Sequence, residues 1–346
     1  MAAGIPIHHA KESKDPMPHS FAPDRYDQMQ YRRTGRSGLM LPAVSLGAWE
    51  TYGGAQDGDV AKRCMFRAFD LGITHFDLAN NYGTPAGNAE IVCGAIVKDM
   101  PRDELLISSK AGYRMWPGPY GEWGSRKYLI ASADQSLKRT GLEYFDIFYS
   151  HRPDPSTPFE ETLHALDTLV RQGKALYVGL SSYSGAQVEE CLKIVARDRL
   201  APITIHQPYY NMLGRKVETD LLPVAERSGS GVIAFCPLAS GLLSGTKYQD
   251  GEVPADSRPG REWARHWVNA KSKDERRRVL QGLNELARAR GQSLAQMAVA
   301  WTLRHAGMTS VVMGASRVEQ VEQNVAALGK LSFTSDELTR IDALTA

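Results

Sequence analysis

The stretch Thr74-His75-Phe76-Asp77-Leu78-Ala79-Asn80-Asn81-Tyr82-Gly83 runs from apolar residues into a polar segment that ends on glycine. Ile73, His75-Phe76 and Leu78 suit a buried strand, whereas Asn80, Asn81 and Gly83 suit a loop. An acid and a phenol, Asp77 and Tyr82, therefore fall where strand becomes loop. In parallel α/β folds that junction is where chemistry is done.

Working outward, the same unit recurs along the chain. Short apolar runs occur at Val44–Leu46, His75–Leu78, Leu105–Ser108, Phe145–Tyr149, Ala175–Leu180, Thr204–His206, Val232–Phe235 and Ser310–Met313. Between them lie segments whose apolar residues return every three or four positions, among them Val60–Leu71, Lys127–Thr140, Phe159–Gln172 and Ala186–Arg197. Gly72, Gly141 and Gly173 follow three of these as C-cap candidates. Eight strand-and-helix units predict an α/β fold of the closed (β/α)8 TIM-barrel type rather than an open sheet. No Gly-x-Gly-x-x-Gly follows any predicted strand and no Walker-type loop is present, so no Rossmann domain is expected. Upstream, Met29–Arg33 and Leu39–Leu41 flank Thr-Gly-Arg-Ser-Gly, a β-hairpin pattern suited to plugging one barrel end. Residues 1–28, with four prolines among charges and no periodic apolar face, read as a flexible or docked arm. Residues 29–346 read as one domain.

Composition narrows the function. At 346 residues, 42% of them hydrophobic, the chain can bury a full-sized core. A net charge of +2, with Lys and Arg interspersed among acids, gives no nucleic-acid footprint. The four cysteines, Cys64, Cys93, Cys191 and Cys236, lack the spacing of a zinc site or a disulfide scaffold, and buried free thiols are expected. No apolar run reaches transmembrane length and no signal peptide is evident, which fits a reducing cytoplasm and no membrane partner.

Four ionisable residues stand at or just beyond successive strand ends: Asp77, Tyr82, Lys110 and His151. Each alone has an ordinary explanation: a solvated lysine, a packing tyrosine or a hydrogen-bonded histidine. Together they form a coherent acid. A phenol with a reference pKa of about 10 is drawn downward by a nearby ammonium, which Lys110 supplies. Asp77 holds that ammonium, and His151 can donate to a substrate carbonyl. Reading His75, Asp77, His151 and His206 as metal ligands is the weaker alternative, because Lys110 beneath them repels a divalent ion; no metal is expected.

At these residues the chain resembles the aldo-keto reductase superfamily, over nearly all of Tyr31–Leu344. Within it the chain resembles the branch of potassium-channel β subunits and bacterial L-glyceraldehyde 3-phosphate reductases. Arg126-Lys127-Tyr128-Leu129, His151-Arg152-Pro153-Asp154 and the run Gly112–Gly121 bring it nearer the reductases. The resemblance implies a (β/α)8 barrel that uses NADPH, with Tyr82 as proton donor, Lys110 and Asp77 as its relay and His151 orienting the carbonyl. It implies Ser181, Ser182 and Gln207 at the nicotinamide carboxamide and Phe235 stacked on the ring. Without the resemblance, Phe235 reads equally well as a core aromatic. Pro237, Leu238, Ala239, Gly241, Lys247 and Arg258 are implied around the pyrophosphate, and Trp49, Asp77 and Cys236 are implied among the other cofactor contacts. Gly314, Ser316, Arg317, Gln320, Gln323 and Asn324 are implied at the adenosine end, where a Ser and an Arg opening a helix favour an anion. Position 323 departs from the channel-subunit pattern in carrying Gln for an acid, and position 235 in carrying Phe for Trp.

On the substrate side, the insertion Tyr113–Tyr128 reads either as an apolar lid with solvated charges or as an anion clamp. In the clamp, Arg114, Arg126 and Arg152 hold a substrate phosphate while Trp49 and Trp116 wall the carbonyl pocket. The expected function is NADPH-dependent reduction of a short aldehyde such as L-glyceraldehyde 3-phosphate or methylglyoxal. The alternative is an NADPH-binding regulatory or redox-sensing subunit. The resemblance also implies a homo-oligomer, a tetramer or larger.

Overall fold

In the computed structural model, which describes residues 19–54, 58–245 and 247–346, the apolar runs become eight parallel strands. They are β3 (Val44–Gly47), β4 (His75–Asp77), β5 (Leu106–Ala111), β6 (Phe145–Ser150), β7 (Ala175–Ser181), β8 (Ile203–Gln207), β9 (Gly231–Phe235) and β10 (Met308–Met313). They pair in sequence order and close when β10 meets β3, at Val311↔Val44 and Met313↔Leu46. The barrel read from the sequence is thus the barrel observed. One boundary matters for the site: β5 runs past Ser108 to Ala111, so Lys110 lies inside the strand, opposite Tyr149.

The hairpin forms from β1 (Tyr31–Arg33) and β2 (Met40–Pro42), paired antiparallel from Tyr31↔Pro42 to Arg33↔Met40. Leu39 and Leu41 from it pack with Ile147, Tyr149, Ile205 and Ile233, which point into the barrel from β6, β8 and β9. The plug therefore completes an apolar floor at the N-terminal end of the strands, and the polar chemistry is left to the other end. Phe21 and Ala22 pack on the helix Gly58–Asp70. Phe21 meets Phe66 and Phe69 edge-on at 5.1 and 4.9 Å, and the Ala22 amide donates to Asp70 Oδ1 at 2.8 Å. The arm residues before His19 lie outside the described residues.

Helices cover the outside because their apolar stripes have nowhere else to go. Leu163, Leu166 and Leu169, on one stripe of Phe159–Arg171, are all buried. Ser125 starts the helix Arg126–Thr140 by accepting from the Tyr128 amide, and Gly141, in the left-handed region at φ 71°, ends it. Gly72 and Gly173 likewise take left-handed φ after their helices. Among the described residues no helix is long and apolar enough to cross a membrane.

Candidate active site

Strand register brings the site together. Asp77, the last residue of β4, lies beside Gly47 of β3 and Ser108 of β5, and Lys110 stands one inward position further along β5. Tyr82 sits in the loop beyond β4, with its carbonyl accepting from Gly87 and Ala89 and its amide donating to Ala79. Gly83 allows this tight loop. Its φ is +90°, and a Cβ there would come within 2.5 Å of the Ala89 amide nitrogen.

The Lys110 ammonium, wholly buried, spends its three hydrogens on three oxygens. Asp77 Oδ2 accepts at 2.6 Å, the Leu78 carbonyl at 2.7 Å and the Tyr82 hydroxyl oxygen at 3.4 Å. An ammonium has no lone pair, so Tyr82 must accept from Lys110, and its own hydrogen is left for another acceptor. The other Asp77 oxygen accepts from Ser108 Oγ at 2.6 Å and Gln207 Nε2 at 3.2 Å. His151 stands 5.8 Å from the Tyr82 ring, edge to face. Its Nδ1 is buried without a partner. A buried lone pair costs less than a buried orphan N–H, which leaves Nε2 as the nitrogen that carries the hydrogen.

One expectation is corrected by burial. The sequence reading has Lys110 drawing the Tyr82 phenol down. In the folded protein the phenol lies well above its ordinary value, because desolvation dominates and the Asp77 charge adds to it. Lys110 itself is pushed down by the same desolvation. Tyr82 therefore stays a protonated phenol, which is the state a proton donor requires.

Burial also keeps histidines neutral. Desolvation carries His75 down to about 4 and His206 to about 3, and holds His151 well below its ordinary value. An unfolded histidine takes a proton near pH 6.5, so between there and the depressed values the unfolded chain binds more protons. Stability is expected to fall as pH drops from about 6.5 toward 4, by about 1.4 kcal/mol per pH unit for each histidine still neutral. Thermal unfolding measured across that range checks this. His206→Leu should make the decline shallower, and an unchanged slope would remove His206 from the account.

Above these residues opens a cleft of about 790 Å³ at the C-terminal end of the strands. Asp77, Tyr82, His151 and Trp49 line its floor and one wall. Ser181, Ser182, Gln207, Phe235 and Cys236 line it from the ends of β7, β8 and β9. Pro237, Leu238, Gly241, Lys247 and Arg258 continue along one side, and Gly314, Ser316 and Gln320 come from beyond β10. Ala239 is buried beneath this lining. Arg317 and Gln323 are exposed and Asn324 is buried, and these three lie outside the lining. Cys236 is a free thiol raised to about 12 by burial, unlike an activated nucleophile, while the other three cysteines are fully buried.

The residues present fit a dinucleotide. Ser182, Cys236 and Ser240 hold left-handed φ of 64°, 55° and 53° although none is glycine, a strain that collects at ligand sites. Asn81 Oδ1 and His151 Nδ1 are buried at the cleft with no partner. Ser181 Oγ bonds the Gln207 carbonyl at 2.8 Å, which ties two of the implied carboxamide partners together.

The expected anion clamp is not assembled in the cleft. Arg152 donates to the Gly112 carbonyl at 3.0 Å and to Glu122, and its guanidinium stacks on Tyr113 and Trp123 at 4.2 and 3.7 Å. Arg126 turns to Thr168 Oγ1, and Trp116 packs on Tyr128 with centroids 5.4 Å apart. Arg114 is exposed, and none of the four lines the cleft. The arginines that line the cleft are instead Arg258, Arg261 and Arg265, alongside Lys247. Arg258 pairs with Glu262 at 2.9 Å and lies 5.0 Å over the Trp49 ring, while Arg261 reaches Glu50 at 3.9 Å. Trp263 stacks on Tyr209 and meets Phe235 edge-on at 5.1 Å. The signal for this wall was present in the sequence as Arg258, Arg261, Trp263, Arg265 and His266 within nine positions.

With Asp, Tyr, Lys and His gathered at the mouth of the barrel, residues 43–346 match the aldo/keto reductase family. The chain belongs to that family and is an oxidoreductase. Its relatives include the L-glyceraldehyde 3-phosphate reductases of Escherichia coli O157:H7 and Escherichia coli (strain K12). Each is 53% identical over 326 residues, covering 92% of this chain and 93% of the relative. A probable voltage-gated potassium channel subunit beta from Arabidopsis thaliana is 38% identical over 306 residues, 87% of this chain and 91% of its own. The likeness to the reductases supports aldehyde reduction, and family members typically use a nicotinamide cofactor.

Proposed function

We propose that the protein reduces short aldehydes with NADPH, and that Tyr82 delivers the proton. The observation that carries this is the seating of Tyr82: Lys110 donates to its oxygen at 3.4 Å, which frees the phenolic hydrogen for a substrate oxygen. When bound, the reduced nicotinamide supplies hydride to the carbonyl carbon. The chain's own residues handle the oxygen. His151, kept neutral, donates an Nε2–H to the carbonyl and orients it; Tyr82 then passes its proton to the oxygen as negative charge develops there, and Lys110 stabilises the phenolate left behind.

Ser316 in the lining and Arg317 at the start of the helix Val318–Ala326 support a 2′-phosphate, and so NADPH over NADH. L-glyceraldehyde 3-phosphate is our first candidate substrate and methylglyoxal the second, given the named reductase relatives and the basic wall of the cleft. Steady-state rates on a panel of aldehydes with each coenzyme test the reading. Sustained turnover with NADPH supports an enzyme. A single oxidation of bound cofactor followed by very slow release favours the regulatory alternative, to which the 38% identity with a channel subunit lends support.

With the clamp residues pointing elsewhere, Arg261 and Arg265 become the candidates for a substrate phosphate. Arg261→Ala with Arg265→Ala is expected to lower kcat/KM for L-glyceraldehyde 3-phosphate about tenfold or more while leaving methylglyoxal nearly unchanged. Equal losses on both substrates would mean that these arginines serve only the cofactor or the fold.

A further inference from the structure

The tetrad rests on a second polar layer inside the barrel. Ser310 Oγ lies 2.8 Å from Ser45 Oγ, and Ser45 Oγ lies 2.9 Å from His75 Nδ1. His75 Nε2 is 2.9 Å from Ser108 Oγ, which donates to Asp77 Oδ1 at 2.6 Å. These residues come from four neighbouring strands, β10, β3, β4 and β5, and each is buried. So long a buried polar chain is costly unless every hydrogen has a partner.

The chain has one consistent direction. The Asp77 carboxylate, paired with Lys110, only accepts, so the single hydrogen of Ser108 must go to it. Only lone pairs of Ser108 then remain for His75, and Nε2 must carry the ring hydrogen. A neutral ring has an unprotonated Nδ1, which accepts from Ser45, and Ser45 accepts from Ser310 in turn. Burial that carries the ring's pKa down to about 4 agrees with neutrality.

We propose that His75 is a positioning residue, locked as its Nε2–H tautomer, whose N–H occupies a lone pair of Ser108, keeps the Ser108 hydroxyl aimed at Asp77 and so fixes the carboxylate that seats Lys110 against Tyr82. Without the imidazole N–H, the Ser108 hydroxyl can rotate toward other acceptors, and the carboxylate loses a hydrogen bond that defines its orientation. The lysine then loses its fixed point, and with it the 3.4 Å contact to the phenol. His75 is not among the residues that line the cleft. Of its two hydrogen-bond partners, Ser45 and Ser108, Ser108 is the one that reaches Asp77. The inference rests on Tyr82 being the proton donor.

Two measurements on the full chain test it. Long-range proton–nitrogen correlation of the imidazoles at neutral pH is expected to give His75 as the neutral Nε2–H form. An Nδ1–H tautomer or an imidazolium would overturn the proposal, whatever the enzyme's activity. Kinetically, Ser108→Ala and His75→Phe are each expected to lower kcat about tenfold with the aldehyde KM unchanged. The double variant should be no slower than Ser108→Ala, and His75→Gln, which restores a donor and an acceptor, should recover most of the loss. Multiplying losses, or a Ser108→Ala enzyme within twofold of wild type, would overturn it; the Ser108→Ala result decides the matter even where His75→Phe does not fold. A fully active Tyr82→Phe enzyme would instead defeat the reading of Tyr82 and leave the tautomer standing. An inactive Tyr82→Phe enzyme beside a fully active Ser108→Ala enzyme would defeat this inference alone.

Discussion

Replacing Tyr82 with Phe is expected to lower kcat for aldehyde reduction by about 10²- to 10⁴-fold, the usual contribution of a positioned general acid. The ring is 8% exposed, so the variant keeps nearly all the packing of the wild type and loses one hydroxyl. Lys110 loses its 3.4 Å acceptor and keeps the two shorter contacts, to Asp77 and Leu78, so stability should change by about 1 kcal/mol. The variant should therefore bind cofactor as the wild type does, measured by fluorescence titration, yet fail to turn over. The pH profile adds a second check. Because burial holds the phenol well above its ordinary value, ionisation of Tyr82 should cost no activity between about pH 6 and 9. Near-wild-type kcat in Tyr82→Phe would assign the proton to another group, and His151 would be the next to test.

How much of this was visible beforehand depended on what each residue needs from its surroundings. The strands could be read because burial on both faces forces short apolar runs, and Val44–Leu46 or Phe145–Tyr149 has few other uses. The tetrad followed because a strand end is a fixed address. Asp77 and Lys110 sit on neighbouring strands, and parallel register carries both toward the same mouth. Arg152 shows where that logic stops. It follows His151 in sequence, but one residue past the strand the chain turns, and the Gly112 carbonyl, Glu122, Tyr113 and Trp123 claim its guanidinium. Arg261 and Arg265 were missed for the converse reason: a long non-periodic segment after β9 folds back over the cleft, and no local pattern says where such a segment lands. The phenol's shift was misjudged because sequence names the neighbouring charge but not the degree of burial that outweighs it. In the sequence His75 reads as a strand residue or a weak metal-ligand candidate, since the positioning role proposed for it depends on hydroxyls 30 and 33 positions away.

Lys110→Met should be the most damaging change in the site, because it removes charge compensation and catalytic support together. Met nearly matches the lysine stem and adds no cavity, so the loss reads on electrostatics. Asp77, 2% exposed, would keep Ser108 and Gln207 on Oδ1 but lose the donor at Oδ2, and the Leu78 carbonyl would lose its partner as well. Removing one member of a buried ion pair typically costs about 3–5 kcal/mol, and a decrease of that size in urea unfolding is expected. Activity should fall by about 10²-fold or more, since the phenolate left after proton transfer has no ammonium beside it. The pH dependence of stability isolates the charge. Desolvation lowers Lys110 below its unfolded value of about 10.5, so above the folded value the unfolded state binds the extra proton and wild-type stability gains as pH rises. Asp77→Asn removes the carboxylate that supports the ammonium, lowers Lys110 further and should widen that gain, whereas Lys110→Met should abolish this residue's share of it. Unfolding of all three proteins at pH 7 and pH 9 therefore separates a paired buried ammonium from a neutral packed amine. If Lys110→Met matched wild type at both pH values and still reduced aldehydes, the ion pair would be ornamental and the phenol would have to act alone.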